Sequence, residues 1–288
     1  MSRLPTTAAW PPCLRALPLL ALLLLATATA RGADRPIEVA PGVDGTLHLP
    51  DAVPPQAAVL ILHGFNDDRD GVGDLQKRLA AELGARGIAS LRFDFSGEGE
   101  RAAYVVTSTF ESRVAEAEQA FGALRRELPD LPRGVQGWSL GGLTAMTIAS
   151  AHPDWFASMV LWSAAGSMGS GGSAAYNAAV RAAMRDGSAV YSDWTDITLT
   201  RDFLVSYVGV DASLALGEYP GSFLTIRGDG DFLPPLDRAW LARLPTTDKA
   251  FLLVGGADHI FGVLGPDASI GERVVQASAD WFERRLGP

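Results

Sequence analysis

Cysteine is almost absent from this sequence of 288 residues, since Cys13 is the only one. Cys13 also lies within the first thirty residues, which have the features of a secretory leader. A chain that loses this leader contains no thiol. Cysteine nucleophiles, disulfide bridges and thiolate metal sites are therefore excluded, and an oxidising compartment is compatible with the sequence.

Long apolar runs are lacking as well. The apolar run near the start, residues 17–26, is far shorter than the roughly 20 residues that a helix needs to cross a bilayer. It follows Arg3 and Arg15 and leads into the small residues 28–30, which is the pattern of a signal peptide. We therefore predict a signal peptide over residues 1–30 and a secreted or periplasmic protein. An uncleaved membrane anchor is the alternative.

Positive charge is scarce, with 24 Lys and Arg against 33 Asp and Glu and a net charge of −9. Such a chain is repelled by nucleic-acid phosphates and by anionic membrane surfaces, because no basic stripe is present to replace their counterions. Nucleic acid is therefore not an expected partner, and neither is a membrane once the signal peptide is gone.

Clusters of metal-ligating residues are scarce too. Asp67, Asp68 and Asp70 form an acidic loop, but the rest of a calcium-loop signature is lacking. A solvated surface loop is favoured over a calcium site. The sequence predicts neither a metal nor a cofactor.

Short apolar runs alternate with segments of helical period from residue 57 onwards. This alternation predicts an α/β fold with a mostly parallel central sheet flanked by helices, in one domain over residues 34–288. Strands are expected at 57–62, 88–95, 134–137, 159–162, 223–226 and 251–254. Helices are expected at 74–85, 111–128, 143–151 and 269–286. Residues 36–50 are typical of an antiparallel hairpin at the sheet edge.

The stretch from about 166 to 219 interrupts this alternation. It begins with the Gly/Ser-rich segment GSMGSGGS and continues with two helix-like pieces, 174–185 and 200–216. An insertion between two strands of such a sheet predicts a small helical lid over the carboxyl ends of the strands, where ligands bind. A flexible surface excursion is the alternative.

Ser139 lies in the sequence GWSLG, which fits the pattern G-x-S-x-G. An apolar strand precedes it and a helix-forming segment follows, as in the strained strand-to-helix turn that exposes a nucleophilic serine. The alternative is a Gly-rich turn with an ordinary serine. A nucleophilic serine needs a base and a carboxylate that orients the base.

Among the four histidines, His259 follows the last predicted strand, where a base on a C-terminal loop can reach Ser139. His48 and His152 are expected at the surface, whereas His63 follows the first buried strand. Asp229 and Asp231 follow the penultimate strand as candidate acids. Either gives the chain order Ser, Asp, His.

These motifs resemble the α/β-hydrolase superfamily over essentially the whole mature chain. The segments ILHGF, IASLRFDFSGEGE, GWSLGG and GGADHIF are most similar to bacterial serine esterases that include feruloyl and cinnamoyl esterases. Trp138 and Leu140 depart from the residues common beside the serine in that subfamily. The resemblance implies a serine hydrolase mechanism.

The resemblance also implies roles for further residues. The acid motif of the superfamily selects Asp231 as the triad acid, and Asp258 would shape the turn beside His259. The backbone N–H groups of Phe65 and Leu140 would form the oxyanion hole. His63 would brace the oxyanion loop, and the DFSGE segment would form a structural turn.

The expected activity is hydrolysis of a small-molecule carboxylic ester through an acyl-enzyme intermediate on Ser139, with no cofactor. A peptidase, amidase or thioesterase of the same fold is the alternative, and a non-catalytic binding protein is a third. Four aromatic residues of the predicted lid either stack on an aromatic acyl group or form the lid's own small core. They are Tyr176, Tyr191, Trp194 and Tyr207.

Overall fold

The computed structural model describes residues 32–51, 53–99, 105–167, 173–192, 196–214 and 216–287. The predicted signal peptide over residues 1–30 lies outside these residues, as does Trp194. Within the described ranges, no helix is both long enough and apolar enough to span a bilayer.

Among the described residues, eight strands form one sheet. In chain order they are β1 (Ala33–Ala40), β2 (Val43–Leu49), β3 (Ala57–Leu62), β4 (Ile88–Phe93), β5 (Arg133–Trp138), β6 (Ser158–Trp162), β9 (Ser222–Gly228) and β10 (Lys249–Val254). The spatial order is β1-β2-β4-β3-β5-β6-β9-β10. The β1–β2 hairpin is antiparallel and β2 pairs antiparallel with β4, whereas the pairs from β4 to β10 are parallel. The predicted mostly parallel sheet and edge hairpin are confirmed.

Helices cover both faces of this sheet. They are α1 (Leu75–Ala85), α2 (Phe110–Glu127), α3 (Leu140–Ala151), α4 (Ala174–Asp186), α5 (Arg201–Ser206), α6 (Asp237–Arg243) and α7 (Ser269–Leu286). α1 packs against α7 on one face, and α2 packs against α3 on the other. The predicted helices at 74–85, 111–128, 143–151 and 269–286 are thus present within a few residues of their expected bounds.

Strand β3 is apolar at every position because both of its faces are buried. Ala58, Leu60 and Leu62 join the core beneath α2 and α3, whereas the residues between them join the core beneath α1 and α7. Side chains of a strand alternate between the two faces, and both faces are covered here. A continuous apolar run is therefore the pattern that this strand needs.

The inserted segment, between β6 and β9, differs in part from the sequence expectation. The first expected helix is present as α4, whereas the helix expected over 200–216 begins as α5 and ends early, at Ser206. An antiparallel hairpin of β7 (Ser188–Ser192) and β8 (Asp196–Thr200) comes first, and only α5 follows as an α-helix. Gly209 then takes a φ of +80°, and 3-10 turns occupy residues 212–214 and 216–218. The β-branched residues of this stretch favour strands and shorten the helix.

Candidate active site

Ser139 occupies the sharp turn between β5 and α3. Its backbone has φ 52° and ψ −114°, a conformation that costs a non-glycine residue on the order of 1–3 kcal/mol. Two backbone hydrogen bonds hold it there. The Ser139 N–H donates to Trp162 O at 2.9 Å, and Ser139 O accepts from Ala165 N–H at 2.9 Å. The loop after β6 therefore holds the strained turn in place.

The glycines around Ser139 are required by close backbone packing. A Cβ at Gly137 would lie 2.4 Å from Gly141 O, and a Cβ at Gly141 would lie 2.2 Å from Leu62 O. A side chain at 137 would therefore push the first turn of α3 away from β5, and a side chain at 141 would push α3 away from the end of β3. The structure thereby explains the G-x-S-x-G spacing in this chain.

Ser139, His259 and Asp231 lie within hydrogen-bond distance of one another in series. His259 Nε2 is 3.0 Å from Ser139 Oγ, and His259 Nδ1 is 2.8 Å from Asp231 Oδ1. A carboxylate only accepts hydrogen bonds, so Nδ1 carries the proton and Nε2 is free to accept from the serine hydroxyl. The structure thus brings together the three residues that the sequence motifs indicated.

Asp231 is held in its ionised form. Burial opposes ionisation of this carboxyl group, but the hydrogen bond from His259, a backbone hydrogen bond from Leu233 and the nearby charge of Arg227 outweigh burial. The pKa of Asp231 therefore lies below its usual value. Its side chain is only 1% exposed, so its charge acts on His259 with little screening by water.

Arg227 is a site residue that the sequence reasoning missed. Its Nη1 donates to Asp231 Oδ2 at 2.6 Å, its Nη2 donates to Ala164 O at 2.7 Å, and its Nε donates to Asp237. Arg227 therefore fixes the second oxygen of Asp231 while His259 uses the first. A signal was present in the sequence, because an arginine interrupts the apolar strand β9 four residues before Asp231, and a buried arginine needs carboxylate partners.

Asp229 and Asp258 both accept hydrogen bonds from the backbone of the loop after β10. Asp258 Oδ1 accepts from Ile260 N–H at 3.1 Å and from Gly262 N–H at 2.8 Å. Asp229 Oδ1 accepts from Gly256 N–H at 2.8 Å. Asp258 thus shapes the turn beside His259, in agreement with the sequence interpretation.

The two predicted oxyanion residues lie on either side of Ser139. Leu140 is the first residue of α3, and the first N–H groups of a helix have no carbonyl partner within that helix. Phe65 follows Gly64, where a Cβ would lie 3.3 Å from Ser139 Cβ. The loop that contains Phe65 therefore passes directly against the serine.

Both ring nitrogens of His63 form hydrogen bonds with the backbone near this loop. Its Nδ1 donates to Gly64 O at 2.8 Å, and its Nε2 accepts from Phe95 N–H at 3.1 Å. Burial, with the nearby charge of Arg113, lowers the pKa of His63 to about 4. A neutral histidine with both ring nitrogens engaged is a brace, as the sequence analysis expected.

The other two histidines lie away from Ser139. His48 is 5% exposed and its Nδ1 is 2.7 Å from Asp34 Oδ1, so the expected surface position is wrong for this residue. The side chain of His48 packs against α1, where a Cβ at Gly84 would lie 2.5 Å from His48 Nε2. His152 stacks on Trp155 at 3.7 Å and is half-buried.

The acidic loop after Phe65 is less solvated than expected. Asp70 pairs with the buried Arg92 and with Lys77. Burial raises the pKa of Asp67 to about 7. Within the same loop, Asp68 Oδ1 accepts from Asp70 N–H at 2.8 Å.

Four described aromatic residues of the inserted segment contact other aromatic residues. Tyr207 is buried against Phe110 and Phe203, and Tyr176 meets Tyr191 edge to face at 5.3 Å. The contact between Tyr176 and Tyr191 favours a small core within the segment, whereas Tyr207 joins the main core beside α2. Phe203 of α5 also stacks on Phe65 at 5.1 Å, which joins the inserted segment to the loop beside Ser139.

Phe232 lies at the open side of this site. Its ring centroid is 4.4 Å from that of His259, and the residue is 62% exposed. The ring of Phe232 therefore leaves an apolar surface exposed beside His259.

A mostly parallel sheet with a strained serine at the end of β5 and a histidine after the last strand is the architecture of the α/β hydrolases. The chain belongs to the hydrolase family described as serine aminopeptidase, S33, whose model matches residues 53–206, more than half of the chain.

Relatives and solved structures of similar proteins agree with this class. A pimeloyl-[acyl-carrier protein] methyl ester esterase of Neisseria meningitidis serogroup C is 32% identical over 113 residues, which is 39% of this chain and 38% of that enzyme. The match therefore spans well under half of the relative's length.

Two solved structures show the same fold over most of the chain. A monoacylglycerol lipase of Paleococcus ferrophilus superposes with a TM-score of 0.64 at 19% identity, covering 84% of this chain and 99% of the lipase. Est1E of Butyrivibrio proteoclasticus, solved with ferulic acid bound, has a TM-score of 0.68 at 16% identity, covering 88% of this chain and 100% of Est1E.

Proposed function

We propose that this protein hydrolyses carboxylic esters of small molecules through an acyl-enzyme intermediate on Ser139. The observation that carries the proposal is the hydrogen-bonded series from Ser139 Oγ to His259 to the buried carboxylate of Asp231. In this proposal Ser139 is the nucleophile, His259 is the general base and Asp231 is the acid that orients His259.

In the first half of the reaction, Ser139 Oγ attacks the ester carbonyl carbon while His259 Nε2 takes the serine proton. The carbonyl oxygen becomes an oxyanion, which the N–H groups of Phe65 and Leu140 receive in this proposal. The protonated His259 then gives its proton to the leaving alcohol, and the acyl group stays on Ser139. Asp231 stabilises the imidazolium during both proton transfers.

In the second half, His259 takes a proton from water and the resulting hydroxide attacks the acyl carbon. Collapse of the second tetrahedral intermediate breaks the bond to Ser139 Oγ, which recovers its proton from His259. The products are the free acid and the alcohol.

Two observations bear on the substrate class. The exposed ring of Phe232 beside His259 favours an ester with an apolar group next to the scissile bond. The curated relative is named as an ester hydrolase, whereas the matching family model is named for an aminopeptidase. Amide hydrolysis is therefore the second candidate function.

A substrate panel tests these two candidates. We expect the purified protein to hydrolyse p-nitrophenyl and feruloyl esters with a kcat/KM at least about 100-fold above that for aminoacyl and peptide p-nitroanilides, measured by product absorbance. An anilide nitrogen must be protonated before it can leave, whereas p-nitrophenolate is a weak base that leaves readily. Faster cleavage of the anilides would favour the amidase, and no cleavage of either class would contradict both proposals.

We also propose that the inserted segment acts as a lid over Ser139. The contact between Phe203 and Phe65 supports this proposal, because it places α5 beside the loop that flanks the serine. The contact between Tyr176 and Tyr191 supports a lid with a small core of its own.

We further propose export of the chain, on the strength of the signal-peptide pattern in residues 1–30. N-terminal sequencing of protein recovered from the periplasm or medium is expected to give a first residue between positions 31 and 34. A product that keeps Met1 and stays in the membrane fraction would contradict this proposal.

A further inference from the structure

A buried ion pair lies beneath the loop that flanks Ser139. Arg113 projects from α2, and Glu98 lies in the turn after β4. Their side chains are 0% and 1% exposed, and Arg113 Nη1 donates to Glu98 Oε1. Such a pair loses hydration on both charges, and its net contribution to folding is often small or unfavourable. A contribution to stability therefore does not by itself account for this pair.

The pair contacts both ends of the segment from His63 to Asn66. Arg113 Nη2 donates to His63 O at 2.8 Å. Glu98 Oε2 accepts from Asn66 N–H at 3.1 Å. Phe65, whose N–H is the proposed oxyanion donor, lies between these two points of attachment. One ion pair thus fixes the backbone on both sides of that donor.

Neighbouring contacts limit the movement of the pair itself. Ser108 Oγ donates to Glu98 Oε1 at 2.7 Å. The Arg113 guanidinium lies 3.7 Å from the ring centroid of Phe95, and the N–H of Phe95 donates to His63. Asn66 has a φ of +52°, so its backbone is held in a conformation that few non-glycine residues adopt. The Glu98 hydrogen bond to its N–H supports that conformation.

We propose that Glu98 and Arg113 are positioning residues for the oxyanion hole, holding the Phe65 N–H in the place where charge develops on the substrate oxygen. Neither residue touches the reacting atoms. The inference rests on the proposed ester hydrolysis, and it identifies which part of the molecule keeps the oxyanion loop in place. An oxyanion hole is effective only when its donors are fixed before the charge appears.

The test uses two variants of the ion pair and one control variant, all made in the full chain. Removing one member alone leaves a buried charge without a partner and threatens the fold. The main variant is therefore the double change Glu98→Gln with Arg113→Met, which removes both charges at similar volume. Arg113→Lys is the conservative variant, since an ammonium group keeps the charge and a donor but not both contacts of the guanidinium. Leu79→Ala, a core change on α1 beneath the other sheet face, controls for lost stability.

For the double variant we expect kcat on a p-nitrophenyl ester to fall about 10- to 100-fold with KM within about 2-fold. This is less than the roughly 10²- to 10³-fold cost of deleting an oxyanion donor, because the donor is displaced and not removed. The inhibition constant of a boronic acid that forms a tetrahedral adduct on Ser139 should rise by a similar factor. Arg113→Lys should recover part of the kcat, and Leu79→Ala should leave kcat unchanged at temperatures where it is folded.

Three results would overturn the inference. One is an unchanged kcat in a folded double variant. Another is a loss of kcat that Leu79→Ala reproduces at equal thermal stability. The third is an equal rise in KM and in the boronic acid constant, which would indicate a general loss of binding. In all three cases the active wild type leaves the proposed ester hydrolysis standing, whereas a wild type that hydrolyses no ester overturns both.

Discussion

Replacing Ser139 by alanine is expected to lower kcat for ester hydrolysis by about 10⁶-fold, the loss typical when the nucleophile of such a triad is removed. The alanine has no oxygen to form the acyl-enzyme, and the remaining groups give only the residual acceleration of an oxyanion hole and a binding site. Hydrolysis of a p-nitrophenyl ester measures the change. Labelling by a fluorophosphonate should disappear in parallel.

Ser163 provides a matched control for this change. It lies just after β6, is buried, and like Ser139 has a positive φ, at 41°. Ser163→Ala should keep the activity and the labelling of the wild type, with circular dichroism confirming that both variants are folded. Full turnover by a folded Ser139→Ala protein would refute the proposed mechanism.

Asp231→Asn is expected to lower kcat by about 10⁴-fold, whereas Asp258→Asn should change it by less than about 10-fold. An asparagine at 231 presents an amide to His259 Nδ1 and stabilises the wrong tautomer, so Nε2 no longer accepts the serine proton. Asp258 instead accepts backbone N–H groups of its own turn. Steady-state kinetics of both variants on one ester gives the comparison.

The Asp231→Asn protein is expected to fold. Arg227 keeps its contacts with Asp237 and Ala164 O when the charge at 231 is removed, so its guanidinium is not left alone. Thermal melts of the two variants show whether stability differs between them. A greater loss of kcat in folded Asp258→Asn than in folded Asp231→Asn would reverse the assignment of the acid.

The sequence predicts those elements of the molecule whose structure depends on residues close together in the chain. Apolar runs bounded by turn residues identify β3 and β9, because a strand covered on both faces needs apolar side chains throughout. The glycines beside Ser139 mark its turn, because backbone packing there leaves no room for a Cβ. His259 is placed by its position after the last strand, since parallel strands bring their carboxyl ends to one edge.

The parts that escape prediction depend on partners distant in the chain. Arg113 and Glu98 are separated by 15 residues and meet only after α2 packs on the sheet, so no local pattern marks them as a pair. Residues 200–216 have helical spacing, but α5 ends at Ser206 and Gly209 takes a φ of +80°. Phe203 and Tyr207 pack into the core there, and tertiary packing overrides a weak helical preference.

The stacking of Phe203 on Phe65 has a consequence for protein engineering. An inserted segment between two strands can be exchanged for the corresponding segment of a relative to make a chimaeric protein. In this protein Phe203 of α5 packs on the side chain of Phe65. The backbone N–H of Phe65 is also the proposed oxyanion donor, so a change in α5 can displace that donor. Chimaeras that retain an aromatic side chain at position 203 should therefore preserve turnover better than those that replace it, whatever acyl group the transplanted segment was selected to receive.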